Sequence, residues 1–204
     1  MRGLLVKDFY TVFKQMKAFL LLIVVFAFIP GFSSLSFAII FATLLPITSV
    51  AYDERSKWNR MAAMMPYSAR DLVLSKYLFG YIIAFAVAAF CCFAQAVVGL
   101  FTHAALTGEF FMKLILFVCA GLIIDAIELP VIIKFGVEKG RIFMVFFTVI
   151  LAVCGTSLVS SLAESQSFQR LDMTLVLLLS PLAAVILNVL SVLLSVKLYK
   201  SNIK

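Results

Sequence analysis

Catalytic side chains are what this sequence has least of. It holds one histidine, His103, and one tryptophan, Trp58. His103 falls in a short loop between apolar runs with no metal-ligand partner nearby, so it reads as a solvated loop residue. No phosphate-cradling G-x-x-x-x-G-K-[ST] loop, H-E-x-x-H pair or G-x-S-x-G elbow occurs. The cysteines are Cys91, Cys92, Cys119 and Cys154. All sit inside apolar runs, and two are adjacent, which suits packing better than a zinc site or a disulfide framework. Charge is also scarce, at 13% of residues, and it clusters between the apolar runs. The longest polar stretch is too short to fold as a soluble domain. No internal repeat or low-complexity tract is visible. These absences exclude metal and nucleophilic chemistry and a nucleotide site in this chain, which therefore reads as a non-enzyme without its own cofactor or metal.

What is present is apolar surface. In 204 residues, 64% are hydrophobic, well above the half expected of a soluble domain. A chain this short cannot bury that excess in a core, so the natural solvent is lipid. The net charge of +7 would suggest nucleic acid in a soluble protein. Here it reads as lysine and arginine retained on cytoplasmic loops.

A helix needs about 20 apolar residues to cross a bilayer. The pattern predicts an all-α, polytopic membrane protein with six transmembrane helices, one domain over residues 1–204, and both termini cytoplasmic. Residues 1–17 form an amphipathic interfacial helix, with Leu5, Phe9, Val12, Phe13 and Met16 on one face and Lys7, Thr11 and Lys14 opposite. The spans cover 18–31, 35–52, 77–101, 110–133, 142–162 and 173–196, with kinks at Pro46 and Pro181. A cytoplasmic segment covers 53–71, and a basic tail covers 197–204. The basic start and short first run are signal-like, but a second apolar run follows Pro30-Gly31 at once, so an uncleaved helix is expected.

Positive charge tests the map. Arg2, Lys7, Lys14, Lys17, Arg55, Lys57, Arg60, Arg70, Lys76, Lys134, Lys139, Arg141, Lys197, Lys200 and Lys204 all fall on one side. Lys113 and Arg170 alone fall on the other. A re-entrant hairpin over 18–52 would leave every charge where it is, so that alternative to two spans stays open.

Two regions invite chemistry. Asp125 and Glu128 lie three residues apart on the fourth span, sharing a face about 12 and 8 Å from its inner end. Acids at such depth rarely face lipid. They form either an acidic patch on a substrate pathway or proton relay, or an interfacial pair with Lys134 or with hydroxyls of a neighbouring helix. Pro130 frees a backbone carbonyl beside them. The other region is 53–71, with Asp53, Glu54, Lys57, Trp58, Arg60, Met61, Met64 and Met65. Trp, Met and Arg favour protein docking, although a helix lying on headgroups also suits Trp58. Residues 53–65 are expected to form one short helix ended by Pro66, and Ser68 with Asp71 reads as the cap of the next.

The run Asp53-Glu54-Arg55-Ser56-Lys57-Trp58, then Met65-Pro66-Tyr67-Ser68-Ala69-Arg70-Asp71 leading into Lys76-Tyr77, resembles the small type-2 permeases of ABC transporters. A second match runs from Leu129-Pro130 through Lys134-Phe135-Gly136-Val137-Glu138-Lys139-Gly140-Arg141, where the family's loop motif puts Lys134, Gly136, Glu138, Lys139 and Arg141. The resemblance covers nearly the whole chain and is closest to exporters of phenol-soluble modulins and antimicrobial peptides. It implies two permease chains, as a homodimer or heterodimer, in the cell membrane. It also implies a cytoplasmic ABC ATPase that holds ATP and Mg and docks on the coupling helix near 53–65, with an amphipathic peptide as substrate. The competing classes are an ATPase-independent transporter or substrate-binding subunit, an intramembrane enzyme, and an assembly factor. The enzyme is disfavoured because only the fourth span carries acids.

Overall fold

The computed structural model describes residues 2–29, 32–62, 64–65, 67–102, 108–140, 142–143 and 173–202. The described residues include, in order, the helices α1 (Arg2–Gln15), α2 (Lys17–Phe28), α3 (Phe32–Arg55), α4 (Trp58–Ala62), α5 (Ala69–Thr102), α6 (Gly108–Phe135) and α7 (Met173–Asn202). No strand occurs among the described residues.

Among the described residues, four stretches are long and apolar enough to cross a membrane: Phe37–Arg55, Ala69–Phe101, Phe110–Phe135 and Leu179–Tyr199. They coincide with the second, third, fourth and sixth expected spans. The expected fifth span lies outside the described residues, apart from 142–143, and so does the Pro30-Gly31 turn. The first expected span takes a different form. The 12 residues of α2 reach about 18 Å, short of the roughly 30 Å hydrocarbon core. It qualifies only together with α1, across a bend of 79°. The break falls at Met16, whose amide still donates to Val12 while its carbonyl accepts the first bonds of α2 from Phe19 and Leu20. Its side chain is buried and holds the corner in the core. At the other end of α2, Gln95 of α5 donates to the carbonyls of Ala27 at 2.9 Å and Ile29 at 3.4 Å. A side-chain amide thus replaces the next helical turn.

Most of the expected apolar face of α1 packs: Val12 and Met16 are buried and Leu5 and Phe9 lie against the core, while Phe13 does not. The buried positions are Leu4, Asp8 and Val12, at a spacing of four. Phe13 is 63% exposed, with Val6 and Tyr10 beside it. The packed face is thus the expected one extended toward Leu4 and Asp8, so it includes an acid that hydropathy assigns to the wet side.

The main core joins α2, α3 and α5. Ala38, Ala42, Cys91 and Ala94 are almost wholly buried. They are small enough to let helices approach as they do in lipid-soluble bundles. Phe26 stacks on Phe41, and Phe9 meets Phe79 edge-on. Cys91 is a packing residue, as its neighbourhood in the sequence implies.

A polar seam joins α5, α6 and α7. The Tyr77 hydroxyl lies 2.5 Å from Ser191 Oγ and 2.8 Å from Ser195 Oγ. Tyr81 donates to Asn188 Oδ1, and Asn188 Nδ2 donates to the carbonyls of Leu122 and Ala184. Ser191 donates to the carbonyl of Ala126. That carbonyl lies four residues before Pro130, which has no N–H to offer it. Where water is absent every freed backbone group needs such a partner. The carbonyl that Pro130 releases thus joins that of Leu122 in holding α7 to α6.

Candidate functional site

The site is built where α3 runs into α4. The stretch 53–65 is not one helix, as the sequence suggested, but three pieces. The last turn of α3 continues through Arg55, Ser56-Lys57 forms a corner, and α4 is five residues long. Lys57 adopts the left-handed conformation, φ 55°, which ends a helix. The corner is closed by Ser56 N–H to the Tyr52 carbonyl and Lys57 N–H to the Glu54 carbonyl. Beyond α4, the expected cap is present. The Asp71 amide donates to Ser68 Oγ at 3.1 Å, and Ser68 Oγ donates to Asp71 Oδ2 at 2.8 Å.

What keeps α3 helical through Asp53 is a closed ionic cluster across three helices. Lys7 of α1 lies 2.5 Å from Asp53 Oδ1, and Lys76 of α5 lies 2.5 Å from Asp53 Oδ2. Both ammoniums also reach Asp8 Oδ1, Lys76 at 2.7 Å and Lys7 at 3.2 Å. Ser49 donates to Asp8 at 3.0 Å and accepts from Lys76 at 3.0 Å. Two cations and two anions balance. Burying any one of them alone costs several kcal/mol, so the four hold one another and with them α1, α3 and α5. Trp58 of α4 places its ring 4.6 Å from Lys7 Nζ, a cation–π contact that ties α4 to the cluster.

Glu54, next to Asp53, makes a different contact. Its Oε2 accepts from the amide of Val137 at 2.7 Å. Gly136 ends α6 at φ 79°, donating to the Ile132 carbonyl at 2.9 Å, and a helical turn follows at 137–140. A Cβ at Gly136 would sit 2.9 Å from Glu54 Oε1. Glycine is required twice there, for the backbone angle and for the carboxylate. The two sequence motifs, more than 80 residues apart, are therefore one structure.

Around this junction lies a cavity of about 500 Å³. Its polar wall is Lys7, Asp53, Glu54, Trp58, Lys76 and Lys134, and it reaches Tyr199 near the end of α7. A second cavity of about 440 Å³ lies beyond Glu54, against Tyr52, Arg55, Val137 and Glu138. Met61 and Met65 are exposed, and Met64 is 87% exposed.

Of the residues expected from sequence, Asp53, Glu54, Lys57, Trp58, Met61, Met64 and Met65 are gathered here with Lys134, Gly136 and Glu138. Lys139 is exposed on the 137–140 turn. The side chain of Arg60 and the whole of Arg141 lie outside the described residues. Asp125 and Glu128 are elsewhere on α6, 3% and 5% exposed. Asp125 is enclosed where α3, α5 and α6 meet. A Cβ on Gly80 would lie 3.2 Å from Pro46 and 3.5 Å from Asp125 Oδ2. Asp125 Oδ1 has no hydrogen-bond partner among the described residues. Neither acid lines the cavities described above or the apolar groove between α5, α6 and α7.

Sequence reasoning missed Asp8 and Ser49. The available signal was the spacing Leu4, Asp8, Val12, which puts an acid on the face that packs.

A bundle of apolar helices with an ionic junction at one end, and no catalytic constellation among its described residues, defines a multi-pass membrane protein. The family model described as ABC-2 family transporter protein matches residues 3–200, and the chain belongs to that family. No curated protein and no solved structure matches the chain significantly.

Proposed function

We propose that this chain is the permease subunit of an ATP-driven exporter of amphipathic or antimicrobial peptides, powered by a separate cytoplasmic ABC ATPase. The observation that carries the reading is the α3–α4 corner. It presents Lys57, Met61, Met64 and Met65 outward while Trp58 and Asp53 root it in the ionic cluster. A surface that is both exposed and rigidly anchored suits a docking element that receives force. Family membership supports an ATPase partner, and the ATP and Mg belong to that subunit.

In this reading the α4 end of the bundle is cytoplasmic, as the one-sided distribution of lysine and arginine requires. Cytoplasmic termini follow from the same charge map, which fits six spans and equally a re-entrant 18–52. A second permease chain completes the path. Closure of the ATPases on ATP moves the docked corner, and the helices rock as semi-rigid bodies. Asp125 and Glu128 meet the basic face of a peptide only when α3 parts from α5 and α6, because Asp125 is enclosed in the closed arrangement.

The test is co-purification. The chain, co-expressed with its ABC ATPase and extracted in mild detergent, is expected to retain that ATPase. Trp58→Ala with Arg60→Ala is expected to lose it, and so is Met64→Glu, which alters the exposed surface without touching the cluster. Retention by both variants refutes docking at this corner. A second reading, ion-coupled transport without an ATPase, draws on the unpartnered Asp125 oxygen. It predicts that the wild type never binds the ATPase.

A further inference from the structure

Two adjacent carboxylates leave the end of α3 for different neighbours. Asp53 enters the ionic cluster with α1 and α5. Glu54 reaches past the end of α6 and holds the first amide of the 137–140 turn. The second contact has an apolar counterpart. Val137 is buried with Ile47 of α3 and Ile132 of α6, and Val50 and Ala51 pack against them. The turn is thus pinned to α3 by one charge-assisted hydrogen bond and one buried side chain. Gly136 is the residue that lets the carboxylate approach. Glu54 is itself exposed, so burial of the acid does not require the bond. It binds an amide rather than an ammonium, so charge balance does not require it either. What the bond does is make the end of α6 follow the end of α3.

We propose that Glu54 is a positioning residue that couples the ATPase-contacting corner to α6, so that displacement of α4 is passed through α3 and the 137–140 turn to the helix that carries Asp125 and Glu128. The inference rests on the reading of the corner as the ATPase docking site. Asp125 lies 11 residues before Gly136, about 16 Å along the helix axis. Moving the C-terminal end of α6 therefore levers Asp125 where it lies beside Gly80 of α5. The ionic cluster holds α1 and α5 to the same corner, and Glu54 adds a polar connection from the corner to the turn that follows α6.

The experiment is a distance measurement in the assembled transporter. Spin labels are placed at Lys139→Cys, exposed on the turn, and Leu100→Cys, exposed near the far end of α5, with the four native cysteines replaced by serine. The complex with the ABC ATPase is compared without nucleotide and trapped with ATP and vanadate. The parent is expected to change its label-to-label distance by about 2 Å or more. Glu54→Ala is expected to lose that change, read in complexes isolated with the ATPase bound. Glu54→Gln, which keeps an acceptor oxygen for the Val137 amide, is expected to restore it. If Glu54→Ala fails to accumulate, Glu54→Asp, one methylene too short to reach the amide, takes its place with the same expectation.

The proposal is overturned if the variant lacking the bond shifts like the parent, or if the parent shows no shift. It is also overturned if Glu54→Ala loses the ATPase altogether, since Glu54 would then be a docking residue. Failure of the parent to bind any ATPase refutes the docking reading itself and the inference with it, and co-purification alone distinguishes that outcome from the others.

Discussion

Replacing Asp8 by asparagine removes one charge from a balanced set of four and almost nothing from its volume. Asp8 is 1% exposed, accepts from Lys76 at 2.7 Å and Ser49 at 3.0 Å, and lies 3.2 Å from Lys7. Breaking a buried pair by neutralising one partner costs about 3–5 kcal/mol. Here the stranded cations keep Asp53, each at 2.5 Å, and the Lys7 side chain is 23% exposed. Partial compensation brings the expected cost down to about 2–3 kcal/mol. For a chain of this length that corresponds to an apparent melting midpoint lower by roughly 4–12 °C. The assay is thermal unfolding of the purified protein in detergent, for Asp8→Asn, Lys76→Met and the pair together. The double variant leaves Lys7 facing Asp53, a neutral set, so its loss is expected to be smaller than the sum of the single losses. A midpoint for Asp8→Asn equal to wild type, or a double variant that loses the full sum, refutes the view that these four charges hold one another.

Two further outcomes follow from the geometry. Gly136→Ala puts a Cβ at 2.9 Å from the Glu54 carboxylate on a backbone at φ 79°. It is expected to cost about 1–2 kcal/mol from conformation alone and more from the displaced carboxylate, whereas Gly108→Ala, in open space, is expected to be near neutral in the same melting assay. Pro130→Ala returns an N–H to the Ala126 carbonyl that Ser191 now holds. Ser191→Ala is therefore expected to destabilise the wild type by about 1 kcal/mol and the Pro130→Ala background by less. Equal losses in both backgrounds refute the assignment.

The parts of this fold legible in the sequence are those set by solvent. Hydropathy alone placed α5, α6 and α7 and the body of α3, because a lipid-spanning helix declares itself over 20 consecutive residues. The Ser68–Asp71 cap was legible because capping is local. The corner was misjudged because helical periodicity carries no mark at Ser56-Lys57. What extends α3 to Arg55 is Asp53 bonded to residues 46 and 23 positions away. Lys7 and Lys76 were counted correctly as positive charges on one side, yet that count hides that they neutralise two acids. Asp8 was overlooked because an acid on an amphipathic helix ordinarily marks the wet face, and here it marks the packed one. For the same reason, the loop motif around Gly136 was recognised as a pattern before its use was visible. Its partner, Glu54, lies 83 residues earlier.

The ionic cluster also imposes an order of assembly during synthesis. Asp8 finds Lys76 only after 68 further residues have been made, which at about 5–20 residues per second takes roughly 3–14 s. Until α5 is made, α1 has an acid on the face that will pack and Val6, Tyr10 and Phe13 on the other. Of its two ionic partners, its carboxylate then has only the neighbouring Lys7, at 3.2 Å, to pair with. When Lys76 arrives, the 2.7 Å contact ties α1 to α5. The chain's first helix thus makes its ionic contacts to α5 only once the fifth has begun to form.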